Sequence, residues 1–452
     1  MAVLIVLVLL TPAAAWAQAE GGREGSTVLP EIQQADRPIV EAFLGHVEGS
    51  AAYCTPERMA GFAAQPEDIT WQASRYIRMP LVAYRLTGDA RYLDEFVTRL
   101  ETLLAEMTRD EDGHPGWYGL AYELFRHPDH PDEAVDVIVT GFTMAELMAE
   151  FALIVQEAGL QEQYAEPIDR YLDLARELVD KWEARGNYRE IGERGAVYIT
   201  HERLAPVKGH LTQPHNKHEI ITRALVDLYA ATGEAGYIEK AVRLGTRFKR
   251  CLMLDEQGVY RWNYWDPAGP WDVHPQEPGR WKHWIGAEHR GGYYSLSLSQ
   301  AVLLYELGLV FNDRDIERFV RTQTQVAWNG SYDDPRWFRV DGREADEGHV
   351  YLCRWLASYD ERIREMAFGA HARAARMEAR DHPWQGGVVA MSWLEDKYLT
   401  VPGWEGPGAS DAALVADWAA GEGADLLAEL AYEVAPPGYQ PPPSPAQADW
   451  LD

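Results

Sequence analysis

The chain is poor in cysteine, because its 452 residues include only Cys54, Cys251 and Cys353. Three thiols allow at most one disulfide, so cross-links cannot replace a hydrophobic core as the source of stability. Hydrophobic residues make up 46% of the sequence and charged residues 25%, which is typical of a globular protein. We therefore expect the chain to fold around an ordinary apolar core.

Positive charge is also scarce. The sequence has 42 lysines and arginines against 71 acidic residues, which gives a formal charge of −29. Nucleic acids and anionic membranes bind to basic surfaces, so we expect neither as a partner. An acidic ligand is compatible with this charge only where basic side chains are concentrated locally.

Motifs that would identify a reaction are missing as well. The sequence contains no HExxH, CxxC, EF-hand, P-loop, dinucleotide-binding or GxSxG pattern. His215 and His218 could face one ion, with His210 nearby. Without a known ligand pattern, however, we expect no metal and no other cofactor.

The N-terminus begins with an apolar run at residues 2–10, which is too short to cross a membrane. Small residues follow at 13–19, in a pattern that precedes signal-peptidase cleavage near Ala17 or Ala19. We predict that residues 1–19 form a signal peptide. The mature protein is then expected in the periplasm or outside the cell, without a membrane anchor.

Helical periodicity dominates the rest of the chain, and strand-like alternation is rare. A phrase recurs: "YRLTGDARYLDEFVTRL" begins at Tyr84 and "YAATGEAGYIEKAVRLG" begins at Tyr229, with looser copies from residues 155 and 305. In each copy an amphipathic segment ends at a glycine, which is typical of a helix C-terminus. The turn glycines are Gly88, Gly159, Gly233 and Gly308, spaced by 71, 74 and 75 residues.

Repeated helical hairpins stack into an open solenoid or close into a ring. Here long loops at 110–132, 186–214 and 255–290 separate the hairpins and carry most of the tryptophan, histidine and glycine. Long loops on one rim suit an enzyme cleft, so they favour a closed ring. We therefore predict an all-α fold, an (α/α) toroid of six or seven hairpins over residues 28–433. A solenoid or irregular bundle is the alternative. The Pro-rich residues 434–452 are expected to form a disordered tail.

Polar side chains gather at the predicted starts of two helices. The segment "PHNKHE" follows Thr212 and Gln213, and free backbone N–H groups at a helix start favour an anion. The segment "GRWKHWIGAEHRGGYY" (279–294) collects Lys, His, Glu, Arg and Tyr before another helix. A purely structural interpretation stays open, in which Asn216 caps the helix, Glu219 pairs with Arg223 and the tyrosines pack.

Tryptophan is abundant, with 17 residues, and many lie in the predicted loops. Exposed aromatic rings commonly stack on the apolar faces of sugars. The polar clusters add groups that could remove the C5 proton of a uronic acid. That reaction needs a neutraliser for the carboxylate, a base for C5 and an acid for the leaving oxygen. These residue types therefore favour β-elimination on an anionic polysaccharide.

The chain resembles the helix-toroid polysaccharide lyases, including alginate and glucuronan lyases, at "HNKHE" (215–219) and "EHRGGYY" (288–294). The resemblance covers roughly residues 70–380, and His-Asn-Lys-His replaces the family's Asn-Asn-His. It implies that Asn216 and Arg290 neutralise the carboxylate and that Tyr294 or Tyr293 is the acid and also a candidate base. His218 or His289 would be the alternative base. Substrate-binding residues would be Glu219, Glu288, His215, Lys217, Lys282, Trp281, Trp265 and Trp117.

Two other functions stay open. A glycoside hydrolase on the same toroid would use two carboxylates, such as Glu288 with Asp266 or Asp272, and would suit a neutral glycan. A glycan-binding solenoid would bind without cleaving. An unsaturated, ultraviolet-absorbing product distinguishes a lyase from both.

Overall fold

The computed structural model describes residues 29–288, 291–332, 336–344, 352–382, 385–400 and 409–448. The predicted signal peptide lies outside these residues. The described part of the chain is mainly helical, and paired helices follow one another along the sequence. The helices are α1 (Arg37–Ser50), α2 (Pro56–Ala63), α3 (Ser74–Thr87), α4 (Arg91–Leu104), α5 (Ile138–Glu157), α6 (Ala165–Ala184), α7 (His215–Thr232), α8 (Ala235–Arg250), α9 (Gly291–Glu306), α10 (Asp313–Arg321), α11 (Glu361–Phe368), α12 (Ala370–Ala379), α13 (Ala390–Glu395), α14 (Ala409–Ala420) and α15 (Ala424–Leu430).

Short antiparallel strand pairs lie in the loops between the helical hairpins. They are β1 (Thr108–Arg109) with β2 (Pro115–Gly116), β3 (Gly119–Leu120) with β4 (Ala134–Val135), β5 (Tyr188–Glu190) with β6 (Ala196–Tyr198), and β7 (Met253–Leu254) with β8 (Tyr260–Arg261). These pairs satisfy backbone groups in the long loops and hold the loops against the helices.

The helices close into a ring. Along its inner side α3 packs against α5, α5 against α7, and α7 against α9. Beyond α9, the helical turn Arg354–Ser358 packs against the residues that follow α13, and α13 packs against both α1 and α3. The prediction of an all-α toroid is confirmed.

Sequence patterns explain which helices lie inside. Nearly all of α5 is buried, including its small residues, as expected for a helix surrounded by others. Among the described residues, α5 alone is long and apolar enough to cross a membrane, and 94% of its apolar window is buried in the protein. By contrast α8, on the outer side, buries one stripe that includes Tyr237, Ile238, Ala241 and Val242.

The repeated sequence motif forms the same turn in its two clearest copies, which begin at Tyr84 and Tyr229. Gly88 and Gly233 have φ values of 70° and 72°, and each N–H donates to the tyrosine carbonyl four residues earlier at 2.7 Å. Glycine adopts this left-handed conformation without the steric cost of a Cβ atom. The repeat therefore marks the ends of α3 and α7, the two inner helices that pack on either side of α5.

Charged side chains fill part of the ring interior. Arg78 of α3 contacts Glu146 and Glu150 of α5 at 3.0 and 3.1 Å, and Glu395 of α13 at 2.8 Å. Arg223 of α7 contacts Glu146 at 2.9 Å. This network connects four inner helices, so it couples the parts of the ring that are distant in sequence.

The C-terminal segment differs from the expectation of a disordered tail over residues 434–448. The carbonyl of Pro437 accepts from Leu254 N at 3.0 Å, and Tyr439 N donates to Leu252 O at 2.9 Å. Trp281 Nε1 also donates to Pro442 O at 2.8 Å. Proline removes donors from a segment, but its carbonyls still accept, and this allows the segment to dock on the residues that follow α8.

Candidate functional site

The N-terminal ends of α5 and α7 meet the long loops around a cavity that is partly open to solvent. Its position results from the ring, because the inner helices present their starts to the same rim. Side chains from the loops before α3, α5 and α7 and from two later loop residues form its wall. They include Glu67, Phe125, Asp136, His201, Lys208, Gln213, Lys217, Tyr264 and His283.

Two lysines give this cavity positive charge. Lys217 Nζ lies 2.8 Å from Glu67 Oε1, which also accepts from Trp71 Nε1 at 3.2 Å. Burial alone would raise the pKa of Glu67, but the Lys217 ammonium and these hydrogen bonds hold that pKa below its usual value. Glu67 is therefore an ionised partner that orients Lys217 at the cavity wall.

Lys208 carries the second charge. Burial, and then the nearby Lys217 ammonium, lower the pKa of Lys208. No ion pair within the described ranges includes Lys208, and its ammonium lies 5.1 Å from the centre of the Phe125 ring. The Glu67 carboxylate partly opposes this shift but is paired with Lys217, so Lys208 is the cavity cation that a bound anion would neutralise.

Two uncharged imidazoles face the same space. Burial, with a smaller contribution from Lys208, lowers the pKa of His283 to about 4. Burial likewise lowers the pKa of His201, whose Nδ1 accepts from Arg203 N at 3.1 Å. Neutral imidazole can accept a proton, so both are candidate bases at neutral pH.

Aromatic rings form one side of the cavity mouth. Tyr264 stacks on Trp284 with ring centres 5.8 Å apart and on Tyr293 at 5.5 Å. Trp284 is 45% exposed, which is unusual for so large an apolar side chain. The rings provide a flat surface next to the lysines, of the kind that stacks on a pyranose.

Asp136, at the start of α5, is held by two cations. Its Oδ2 lies 2.5 Å from Lys181 Nζ and 2.9 Å from Arg185 Nη1. Lys181 is fully buried, and its Nζ also donates to Pro115 O at 2.7 Å. Asp136 is therefore fixed in position on the cavity wall by Lys181 and Arg185.

The two segments that the sequence singled out lie on the same side of the ring. His215 N donates to Tyr264 O at 3.3 Å, and Tyr264 stacks on Tyr293. Of the predicted residues, Lys217 lines the cavity and Tyr293 is half-buried beside its aromatic wall. His289 and Arg290 lie outside the described residues.

Tyr294 does not reach the cavity. It is fully buried, its ring stacks on Trp262 at 5.4 Å, and its hydroxyl donates to Gln323 Oε1 at 3.2 Å. Consecutive residues of a helix point in directions about 100° apart, so only one of two adjacent tyrosines can face the loop rim. The assignment of Tyr294 as a candidate acid is therefore corrected, because its hydroxyl cannot contact a ligand in the cavity.

The histidines and the asparagine of α7 are also internal. His215 Nε2 lies 3.1 Å from Asp266 Oδ2, and His218 Nε2 accepts from Tyr198 N at 3.1 Å. Burial is the main cause that lowers the pKa of His218 well below its usual value. Asn216 is 1% exposed. The helix start thus directs these three into the protein and Lys217 outwards, which corrects their predicted contact with substrate.

The two predicted glutamates are buried as well. Glu219 faces the ring interior, 3.8 Å from Arg223, and Glu288 N donates to Trp262 O at 3.2 Å. Neither side chain is exposed. Glu219 therefore belongs to the interior charge network and Glu288 to the core, so neither contacts a ligand in the cavity.

Burial raises the pKa of Glu219 to about 8, and the charge of Arg223 only partly opposes this shift. An unfolded glutamate ionises near 4.5, so between about pH 4.5 and 8 the folded state binds more protons at this site. Stability contributed by protonated Glu219 is complete below this window and decreases as the pH rises through it. We expect Glu219→Gln to flatten the fall in unfolding free energy between pH 5 and 8.5, measured by urea denaturation.

A matched control is Glu193→Gln, since the Glu193 side chain is 79% exposed. This variant should keep the wild-type pH dependence. An identical slope in the wild type and in Glu219→Gln would contradict a buried, protonated Glu219.

The predicted tryptophans pack loops onto the body. Trp117 Nε1 donates to Leu103 O at 3.1 Å, and Trp265 Nε1 donates to Thr212 O at 2.8 Å. Trp281 binds the C-terminal segment, as described above. Lys282 Nζ donates to Gly209 O at 2.7 Å. These four residues support the rim instead of contacting ligand, which corrects their assignment as substrate-binding.

The carboxylates suggested for a hydrolase are structural too. Asp272 accepts hydrogen bonds from Thr212 N, Thr212 Oγ1 and Ala268 N at 2.7–2.9 Å. Asp266 accepts from Asn263 Nδ2 at 2.7 Å. Both aspartates are at most 1% exposed. Neither can reach a glycosidic bond in the cavity.

Several cavity residues were not predicted from the sequence. Glu67, Asp136 and His201 lie in stretches without any recognisable pattern, and only the ring brings them together. Lys208 and His283 lie within the polar loop regions, but sequence alone does not distinguish them from Lys282 or His210, which lie outside the wall. These residues can be recognised as one site only from their proximity in the folded structure.

No protein-family model matches this chain, and no curated protein matches it. Among solved structures the chain is similar to D-mannose isomerase, with 13% sequence identity and a TM-score of 0.41. The alignment covers 80% of this chain and 88% of the isomerase. A likeness at this level carries no argument about function, which has to be inferred from the cavity itself.

Proposed function

We propose that the cavity binds a uronate unit of an anionic polysaccharide and that the protein cleaves the polymer by β-elimination. One observation carries this proposal: Lys208 lines the cavity beside Lys217 without an ion-pair partner in the described part of the chain, although the formal charge of the whole chain is −29. The aromatic wall beside them suits the apolar face of a sugar. Such polymers are extracellular, and the proposal therefore includes export of the protein.

In this reaction the lysines neutralise the sugar carboxylate, so that negative charge can develop when the C5 proton leaves. His283 is the base that we propose. A bound carboxylate would raise its pKa and strengthen it as a base. The C4–O bond then breaks, a C4–C5 double bond forms, and Tyr293 protonates the leaving oxygen.

The second enzymatic candidate finds less support in this cavity. Hydrolysis needs a protonated carboxylic acid beside the glycosidic oxygen. The two carboxylates of the cavity wall, Glu67 and Asp136, each contact a cation within 3 Å. Ion pairing of this kind keeps a carboxyl group ionised and unable to donate a proton.

A substrate panel tests the proposal. Alginate, polymannuronate, glucuronan and glycosaminoglycans would be incubated with the protein and followed by ultraviolet absorbance of the unsaturated product. We expect absorbance to rise with at least one polymer. Reducing sugar without absorbance would indicate a hydrolase instead, and no product from any polymer would refute the proposal.

The adjacent residues Tyr293 and Tyr294 allow a matched comparison of two variants, measured on the polymer that the protein cleaves. Tyr293→Phe removes the proposed acid and should lower kcat by roughly 100-fold or more. Tyr294→Phe removes only the buried hydrogen bond to Gln323 and should keep kcat within a few-fold of wild type. Equal rates for the two variants would exclude Tyr293 as the acid.

A further inference from the structure

His215, Cys251 and Asp266 meet in the protein interior, away from the cavity wall. They come from the first residue of α7, the residue after α8, and the loop after β8. One potential ligand atom from each lies within 4.8 Å of the other two, and all three residues are buried. Nitrogen, sulfur and carboxylate donors are the ligands that zinc takes in proteins.

A buried polar atom lies beside this cluster. Tyr439 N donates to Leu252 O at 2.9 Å, so Tyr439 lies next to the residue that follows Cys251. Within the described ranges, the Tyr439 hydroxyl has no hydrogen-bond partner. A buried polar atom without a partner costs free energy, which a bound ion would recover.

We propose that His215, Cys251 and Asp266 bind a structural zinc ion, with the Tyr439 hydroxyl as a candidate for the fourth donor. This site is independent of the proposed lyase activity. It would join the start of α7, the end of α8 and the C-terminal segment. Since α7 also carries Lys217, the ion would brace the helix that forms one wall of the cavity.

The surroundings suit a divalent ion. On binding, the zinc–sulfur bond replaces the S–H bond of Cys251, and the proton leaves to solvent. The thiolate and the Asp266 carboxylate together balance the charge of Zn²⁺. Arg247 is occupied by main-chain carbonyls, since its Nη2 donates to Asp266 O at 3.3 Å and to Pro267 O at 2.8 Å. Asn263 holds the outer oxygen of Asp266, as expected for a ligand oriented by its neighbours.

The test uses the full-length protein, expressed with added zinc and freed of loosely bound metal. Elemental analysis should find about one zinc per chain, and cobalt substitution should give a sulfur-to-cobalt charge-transfer band. Cys251→Ser should lose the zinc and the band. Cys353→Ser is the matched control, because Cys353 is also fully buried and free but lies outside the cluster.

Two outcomes would overturn the proposal. One is a folded wild-type protein without zinc whose thermal midpoint does not change on zinc addition. The other is full zinc content in Cys251→Ser. If Cys251→Ser fails to fold, the wild-type cobalt spectrum decides, because a bound cobalt ion without a sulfur band excludes Cys251 as a ligand.

Discussion

Replacement of Lys208 by methionine is expected to lower kcat/KM on the cleaved uronate polymer by about 100-fold or more. Methionine keeps the apolar stem that packs near Phe125 but removes the one cavity cation that has no ion-pair partner within the described ranges. The proposed reaction develops negative charge beside the sugar carboxylate. Loss of a fixed positive charge at that point raises the barrier directly, and initial rates from ultraviolet absorbance measure it.

The matched control is Lys240→Met. Lys240 lies on α8 and pairs with Glu183 on α6, outside the cavity wall. This variant loses the same charge from the protein but should keep kcat/KM within about twofold, because long-range charge effects are screened by salt. Equal losses in both variants would mean that net charge, and not the cavity, governs activity.

Replacement of Arg78 by leucine is expected to destabilise the fold by about 3–5 kcal/mol, because a buried ion pair is broken while its partners stay buried. Arg78 contacts carboxylates from α5 and α13, and without it Glu146, Glu150 and Glu395 would repel one another inside the ring. The free energy of unfolding from urea denaturation measures this loss. Local rearrangement of Arg223 towards the uncovered carboxylates would reduce it.

An exposed ion pair serves as the comparison. Arg314 and Glu433 contact each other with side chains that are 70% and 61% exposed. Arg314→Leu should therefore cost at most about 1 kcal/mol. Similar small losses in both variants would show that the interior network does not hold the ring closed.

Much of the fold could be predicted from the sequence, because the patterns that mark its helices involve residues close together in the chain. The Tyr84 and Tyr229 phrases each contain a helix end, a glycine turn and a second helix, and these features depend on neighbouring residues. No local sequence pattern predicts that the ring closes through α13 and the turn Arg354–Ser358. It depends on packing between residues that are hundreds of positions apart.

The site was predicted less well, because a helix start does not reveal which way each side chain points. His215, Asn216, Lys217, His218 and Glu219 look equivalent in sequence. In the structure four of them enter the interior, and only Lys217 lines the cavity. The partner of Lys217 is Glu67, 150 residues away, and no sequence pattern connects the two.

The same reasoning applies to the aromatic residues. Trp281 and Trp284 lie three positions apart in one loop, yet Trp281 is buried under the C-terminal segment and Trp284 is exposed beside Tyr264. The path of the loop determines which of the two tryptophans is buried and which is exposed. Composition predicts that some tryptophans are available to a sugar, but it does not say which.

Calorimetric titration with a saturated uronate oligosaccharide and its carboxyl-reduced, neutral counterpart tests most directly whether the lysine pair recognises a sugar carboxylate. The wild type should bind the uronate at least about tenfold more tightly, which corresponds to 1.4 kcal/mol, and Lys208→Met should lose this preference. Equal affinity of the wild type for the two sugars would contradict the assignment of Lys208 and Lys217 as the carboxylate site.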